Sequence, residues 1–170
     1  RDWSSDVCSS DLADARAVTE GALLAAYRYP GITEKPDTSS RFDHLTLVAP
    51  AGRAVEAGVR QGAVTSRAAT LARDLANTPP AHLNARDIAD LAVQLGQQHG
   101  FGVEVFDNAD LEEMGCGGLL GVNRGSTEPA RLVRLTFEPS NPKGHVALVG
   151  KGVMYDSGGI SLKPSDAFHV

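Results

Sequence analysis

The stretch NARDIADLAVQLGQQHGFGVEVFD, residues 84–107, decides the class of fold. Its apolar residues return at the spacing of one helix face, so we predict an amphipathic helix from Ala85 to His99, with Asn84 as its N-cap. The inward residues of this helix are Ile88, Leu91, Ala92 and Leu95. Residues 103–107, VEVFD, then favour a β-strand. A helix that leads directly into a strand predicts an α/β fold.

The chain after this stretch continues the alternation. We expect, in order, a short helix at 109–115, a glycine-rich strand or turn at 117–126, and strands at 131–139 and 145–152. The last strand, HVALVGKG, is apolar almost up to its lysine, as strands buried on both faces are. The alternation therefore extends the predicted sheet as far as residue 152.

The part of the chain before residue 84 is predicted to be mostly helical. Three elements are expected there: a helix at 13–29, a strand at 44–49 and a long helix at 53–76. Gly58 and Gly62 lie inside the long helix, where each costs about 1 kcal/mol against alanine, so we expect them to allow close packing. The segment NTPPAHLN, which begins at Asn77, ends this helix, and we place a domain boundary there.

The first twelve residues, RDWSSDVCSSDL, show neither helical nor strand periodicity. SSDL is what one end of a common sequencing adapter gives on translation, so our hypothesis is that residues 1–12 are not native, and we exclude them from the predicted fold. A gene with a different sequence before Ala13 would support this hypothesis, and the same twelve residues in that gene would end it.

The composition is that of a globular protein and excludes several classes of function. The 170 residues carry a formal net charge of −5, which argues against a dedicated nucleic-acid binder. No apolar run approaches the ~20 residues that span a bilayer. The two cysteines, Cys8 and Cys116, lack the spacing of a zinc knuckle and indicate free thiols in a reducing cytoplasm.

The candidate site is the run VGKGVMYDSGGISLKP, residues 149–164. Ligands of α/β sheets bind at the carboxyl ends of strands, and the predicted strand at 145–152 places Lys151 there. Asp156 and Lys163 follow within the same run. One carboxylate between two amines is compatible with three kinds of structure.

The first is a phosphate-binding loop, which the sequence disfavours because Gly152 stands where that motif needs Ser or Thr. The second is a Lys–Asp salt bridge in a turn. The third is a metal-assisted hydrolytic site, in which Asp156 ligates a divalent ion and a lysine stabilises charge on a substrate oxygen. Spacing alone leaves the second and third open.

Several segments in the same order resemble the leucyl aminopeptidase family, the cytosol aminopeptidases. The run at 149–164 closely resembles the signature of the family. The other matching segments are ADARAVTEGALLAAYRY (13–29), ARDLANTPPAHLNARDIA (72–89) and GCGGLLGVNRGSTEPARLVRLTFEP (115–139). The resemblance covers about residues 13–170.

This resemblance implies a role for each residue of the candidate site. Lys151 would ligate a metal through a neutral amine, Asp156 would bridge two metals, and Lys163 would be the catalytic residue that polarises the scissile carbonyl. The implied cofactors are two divalent ions, Mn²⁺ or Zn²⁺. The implied protein is a cytoplasmic homo-hexamer that hydrolyses N-terminal residues, Leu preferred, from peptides with a free N-terminus.

The resemblance also implies an organisation into domains of an α/β protein. Residues 13–52 would end a small α/β N-terminal domain, 53–78 would form a linker helix, and 79–170 would begin an α/β/α metallopeptidase domain with a mixed sheet. The family needs three further carboxylate ligands and an arginine, all C-terminal to the matched run. Asp166 and His169 match none of them. We therefore expect an internal fragment that is itself inactive.

Two alternatives to an enzyme stay open. Some members of the family act as hexameric DNA-binding regulators, although nothing basic in this sequence favours that function. A non-catalytic subunit partner would also fit a chain without the remaining ligands.

Overall fold

The structure is a computed structural model, and it describes residues 3–6, 11–29, 31, 44–49 and 52–154. Its elements, in chain order, are β1 (Trp3–Asp6), α1 (Leu12–Ala25), β2 (Leu45–Val48), α2 (Arg53–Asn77), α3 (Ala85–His99), β3 (Gly102–Phe106), α4 (Asn108–Glu113), α5 (Gly117–Asn123) and β4 (Leu132–Thr136). The chain divides into two compact units, Arg1–Thr78 and Pro79–Val170. Helices and strands mix in both units, so the predicted α/β class is confirmed. No helix in these described ranges is long and apolar enough to cross a membrane.

The first unit is organised by the close packing of α1 against α2. A Cβ added to Gly58 would lie 2.4 Å from the carbonyl oxygen of Leu12, and one added to Gly62 would lie 2.8 Å from that of Arg16. Real Cβ atoms do not approach oxygen this closely, so the two backbones meet only because both positions lack a side chain. The close packing predicted for these glycines is confirmed.

Two short strands also belong to the first unit. β1 pairs in parallel with β2, and Trp3 lies opposite Leu45. Parallel neighbours need a long connection, which here contains α1. Exclusion of residues 1–12 from the fold was therefore wrong for Trp3–Asp6, because hydrogen bonds between strands are made by the backbone and do not require alternating side chains. Whether those residues are native stays a prediction.

In the second unit, α3 begins and ends where the sequence predicts. The Asn84 side chain accepts hydrogen bonds from the backbone N–H groups of Arg86 and Asp87, at 2.9 and 3.2 Å. The Asp87 carboxylate accepts one from the Asn84 N–H at 2.8 Å, which completes a capping box. Gly100 closes the helix with a φ of 74°, a conformation that favours glycine.

The helix leads into an antiparallel pair formed by β3 and β4. Glu104 lies opposite Arg134, and the two side chains form an ion pair. The Arg134 guanidinium also lies over the Phe106 ring, 5.7 Å from its centroid. Both strands were predicted, and β4 is shorter than the predicted range of 131–139. The predicted short helix at 109–115 is confirmed as α4, whose Leu111 is fully buried.

The glycine-rich segment at 117–126 is helical and not a strand. Its first seven residues form α5, and the Leu120 N–H donates to the Cys116 carbonyl at 3.2 Å. A second bond, from the Ser126 N–H to the Asn123 carbonyl at 2.9 Å, closes a turn behind the helix. These local hydrogen bonds satisfy the backbone groups without a neighbouring strand. The prediction of a strand was therefore wrong for this segment. The alternative prediction of a turn is correct only for its last residues.

The apolar segment at 145–152 is also not a strand. Its residues are irregular and exposed, with Val146 84% and Leu148 94% accessible to solvent. A strand buried on both faces needs hydrogen-bonded neighbours and covering layers. Within the described ranges β3 and β4 pair only with each other, and no element covers this segment. The prediction of a buried strand was therefore wrong for this chain.

Candidate active site

Of the three predicted site residues, Lys151 is the one that the structure describes. It is exposed and follows the irregular apolar segment. The Val153 N–H donates to the Lys151 carbonyl oxygen at 3.0 Å, which closes a tight turn around Gly152. A Cβ added to Gly152 would meet no atom within 4 Å. The turn accompanies a Lys151 side chain that is exposed to solvent.

The other two predicted site residues, Asp156 and Lys163, lie outside the described residues. The structure therefore neither brings the three together nor separates them, and their roles stay predictions. Asp166 and His169 lie outside the described residues as well.

The described residues do not form a metal site by themselves. No group of three or more His, Cys, Asp or Glu side chains within the described ranges could hold a metal ion. The donors near the candidate site are the Lys151 amine and, from the sequence, the Asp156 carboxylate. Nitrogen and carboxylate donors suit Zn²⁺ and Mn²⁺. The donor chemistry of these two residues thus fits a divalent metal.

An open groove of about 730 Å³ lies over the β3–β4 pair, and sequence analysis did not anticipate it. Its polar lining includes Glu104, Arg134, Glu138 and His145. Glu104 and Arg134 neutralise each other through their ion pair. The other two ionisable groups of the groove are the Glu138 carboxylate and the His145 imidazole. Two ligands are too few for a metal centre.

Among the described residues, the pKa values of Tyr27 and Glu20, both in the first unit, depart from their ordinary values. Burial raises the pKa of Tyr27 above its ordinary value. The hydrogen bond from Arg16 lowers the pKa of Glu20. Both groups take part in the packing of α1 against α2, so these shifts report structure and not catalysis.

Comparison with known proteins identifies the family. The family profile described as "Cytosol aminopeptidase family, catalytic domain" matches residues 70–170, more than half of the chain. The chain belongs to the cytosol aminopeptidase family. The resemblance found in the sequence motifs is confirmed. The match begins within α2 and includes the whole candidate site.

Curated relatives support membership of the cytosol aminopeptidase family. The chain is 39% identical over 175 aligned positions to "Probable cytosol aminopeptidase" of Chlorobaculum tepidum, with 96% of this chain and 35% of that protein covered. It is 40% identical to the protein of the same name from Streptomyces avermitilis, with 92% and 32% covered. The chain thus spans about a third of the length of the relatives that it matches.

Solved structures of similar proteins share the fold. The apo leucyl aminopeptidase of Trypanosoma cruzi superposes with a TM-score of 0.77 at 32% identity, over 96% of this chain and 32% of that one. The bottromycin maturation enzyme BotP in complex with Mn superposes with a TM-score of 0.74 at 41% identity, over 89% and 31%. These neighbours confirm the α/β class of the chain.

Proposed function

We propose that this chain carries the first part of the two-metal centre of a leucyl aminopeptidase. Lys151 and Asp156 are its metal ligands and Lys163 is its catalytic lysine. The observation that carries the proposal is the run at 149–164, which resembles the family signature and lies inside the catalytic-domain match. The manganese in the BotP complex supports a divalent ion.

Each side chain contributes a different chemistry to this centre. The Lys151 amine would hold a metal ion through its lone pair and would therefore have to be deprotonated. Asp156 would hold the metal ions through its carboxylate, which has two oxygens that can accept. The Lys163 ammonium is a compact positive charge that stabilises negative charge developing on the scissile carbonyl oxygen. Bound divalent ions supply Lewis acidity and a nucleophile derived from water.

The substrates that follow from this centre are peptides with a free N-terminus, among which those that begin with Leu are preferred. The longer protein would act as a cytoplasmic homo-hexamer with Mn²⁺ or Zn²⁺. The family membership of the chain supports the substrate class.

The isolated chain is expected to be inactive, because two protein ligands do not hold two ions against water. The test is an assay of the purified 170-residue chain with leucine p-nitroanilide and added Mn²⁺. A full-length member of the family serves as the positive control. Release of nitroaniline by the chain alone at a rate comparable to the control would overturn the prediction of inactivity.

The ligand assignment has its own test, which does not depend on activity. In NMR spectra of the chain, paramagnetic Mn²⁺ should broaden the signals of residues 149–157 first, and Asp156→Asn should remove this effect. Asp166→Asn is the matched control, because Asp166 matches no family ligand, and it should leave the broadening unchanged. Broadening of these signals that survives Asp156→Asn, or that Asp166→Asn removes equally, would reject the assignment.

A further inference from the structure

The ends of α1 and α2 are joined by a cluster of four side chains, the Tyr27–Asp74 clasp, which consists of Tyr27, Arg73, Asp74 and Asn77. The Tyr27 hydroxyl donates to Asp74 Oδ1 at 2.8 Å and accepts from Asn77 Nδ2 at 3.2 Å. The Arg73 guanidinium lies over the Tyr27 ring, 5.2 Å from its centroid. One tyrosine that follows α1 therefore contacts three residues in the last turns of α2.

Arg73 adds a second connection to α1. Its Nη1 atom donates to the carbonyl oxygen of Leu24 at 3.0 Å. The last carbonyl groups of a helix lack partners within the helix, so a donor from a neighbouring helix satisfies one of them. Arg73 thus both stacks on the ring that follows α1 and caps the end of that helix.

The last turn of α2 is intrinsically weak without this help. Asp74 places a negative charge near the C-terminal end of the helix, where the helix dipole disfavours it, and the last turn has no basic residue. Asn77 is a poor helix former and Pro79 follows. The bond from Tyr27 compensates the misplaced charge because it stabilises the carboxylate directly.

The same aspartate anchors the end of the helix through its backbone. The Thr78 N–H and the Thr78 hydroxyl both donate to the Asp74 carbonyl, at 3.0 and 2.7 Å. The Tyr29 hydroxyl in turn donates to Thr78 Oγ1 at 3.3 Å. Asp74 is therefore the point at which the contacts from the end of α1 and the last hydrogen bonds of α2 meet.

The boundary of the family match divides this cluster into two parts. Arg73, Asp74 and Asn77 lie inside the catalytic-domain match, which begins at residue 70, whereas Tyr27 lies outside it. We propose that the Tyr27–Asp74 clasp is a conformational device through which α1 keeps the first residues of the catalytic-domain match helical. This inference rests on the family membership and on the contacts above, and it does not depend on the metal centre.

The test is amide hydrogen exchange in the 170-residue chain, compared with Tyr27→Phe. The variant keeps the ring beneath Arg73 but removes both hydrogen bonds of the hydroxyl. The amides of Leu75 to Thr78 should exchange roughly 3- to 10-fold faster, the factor expected for a lost hydrogen bond. The amides at the middle of α2, around Gly62, should keep their rates.

Two further variants decide between the possible outcomes. Arg60→Gln removes an exposed pair with Glu56, 3.8 Å apart on the same helix, and should change no rate in the last turn. Asp74→Ala removes the acceptor of Tyr27 together with the disfavoured charge, so it is used as a background: in it, Tyr27→Phe should accelerate the same amides much less than it does in the original chain. Equal acceleration along all of α1 and α2 would show that the cluster acts only through general packing, and unchanged rates would show that it does not hold the turn. Either result would overturn the proposal.

Discussion

Gly62 faces the carbonyl oxygen of Arg16 across the contact of α1 with α2, so that a Cβ at Gly62 would lie 2.8 Å from that oxygen. The Arg16 oxygen belongs to the backbone of α1, and the Cα of Gly62 belongs to the backbone of α2. Neither atom can therefore move aside unless a helix shifts. The contact explains why a residue with a poor helix propensity stands in the middle of a 25-residue helix.

The first prediction is that Gly62→Ala destabilises the chain. The added methyl group should cost about 1–3 kcal/mol in overpacking. Alanine favours a helix by ~1 kcal/mol over glycine, and this gain offsets only part of that cost. The measurement is the free energy of unfolding in urea.

The matched control is Gly21→Ala on α1, where an added Cβ meets no atom within 4 Å. This change should stabilise the chain by ~1 kcal/mol, because only the helix propensity changes. If both substitutions were stabilising, the close approach of the two helices would be wrong.

The second prediction concerns Ser66, which is 3% exposed and whose hydroxyl has no hydrogen-bond partner among the described residues. Ser66→Ala should leave the free energy of unfolding unchanged or raise it by about 1 kcal/mol, because a buried unpaired hydroxyl opposes folding. Thr19→Val is the comparison, since the buried Thr19 hydroxyl donates to the Ala15 carbonyl at 2.7 Å. That change should destabilise the chain by about 1 kcal/mol. Urea denaturation of both variants checks the difference in sign.

The third prediction is a dependence of stability on pH through Glu20. Arg16 Nε donates to Glu20 Oε1 at 2.7 Å, and this bond holds the pKa of Glu20 below its ordinary value of 4.5. A carboxyl whose pKa is lower in the folded state stabilises the fold above the unfolded pKa, and this stabilisation is lost as pH falls through the folded value. The free energy of unfolding should therefore decline below about pH 4.5.

Arg16→Gln should make this decline of stability in acid shallower, because the pKa of Glu20 then differs less between the folded and the unfolded state. Arg60→Gln, which removes an exposed and longer ion pair, should leave the slope as it is in the original chain. Urea midpoints measured from pH 7 down to about pH 3 give the three slopes. Identical slopes would mean that the Arg16–Glu20 bond does not influence the pKa in solution.

The fourth prediction compares an exposed leucine and a buried leucine of the second unit. Leu148 is 94% exposed, so Leu148→Lys should change the free energy of unfolding of this chain by less than about 0.5 kcal/mol. Leu111 is fully buried, and Leu111→Ala should cost about 2–5 kcal/mol. Thermal or urea unfolding monitored by circular dichroism compares the two. A large loss for Leu148→Lys would show that the segment is buried in solution after all.

Much of the fold could be predicted because the signals are local. The bounds of α3 follow from Asn84 and Gly100, which act on residues within a few positions of themselves. The role of Gly58 and Gly62 could be predicted because an unfavourable residue in a helix needs a reason in packing. The likeness to the family lies in runs of adjacent residues, of which 149–164 is the most specific.

Other features could not be predicted because their two partners are far apart in the chain. Tyr27 and Asp74 are 47 positions apart, and nothing in either segment indicates the other. β1 gains its structure from β2, more than 40 positions later, and not from any pattern of its own. The segment 145–149 is mostly apolar, as the sequence shows. Whether it is buried depends on a covering layer, which the composition does not reveal.

By itself, then, the sequence determined the α/β class and the limits of α3, since each depends on neighbours along the chain, whereas the roles of Lys151 and Asp156 stay predictions. The tertiary structure alone decided that Gly62 touches Arg16, that Tyr27 holds Asp74 and that Val146 and Leu148 face solvent. The physical reason is that a cap or a motif is complete within a few residues, whereas a packing contact or a buried surface exists only once distant segments meet.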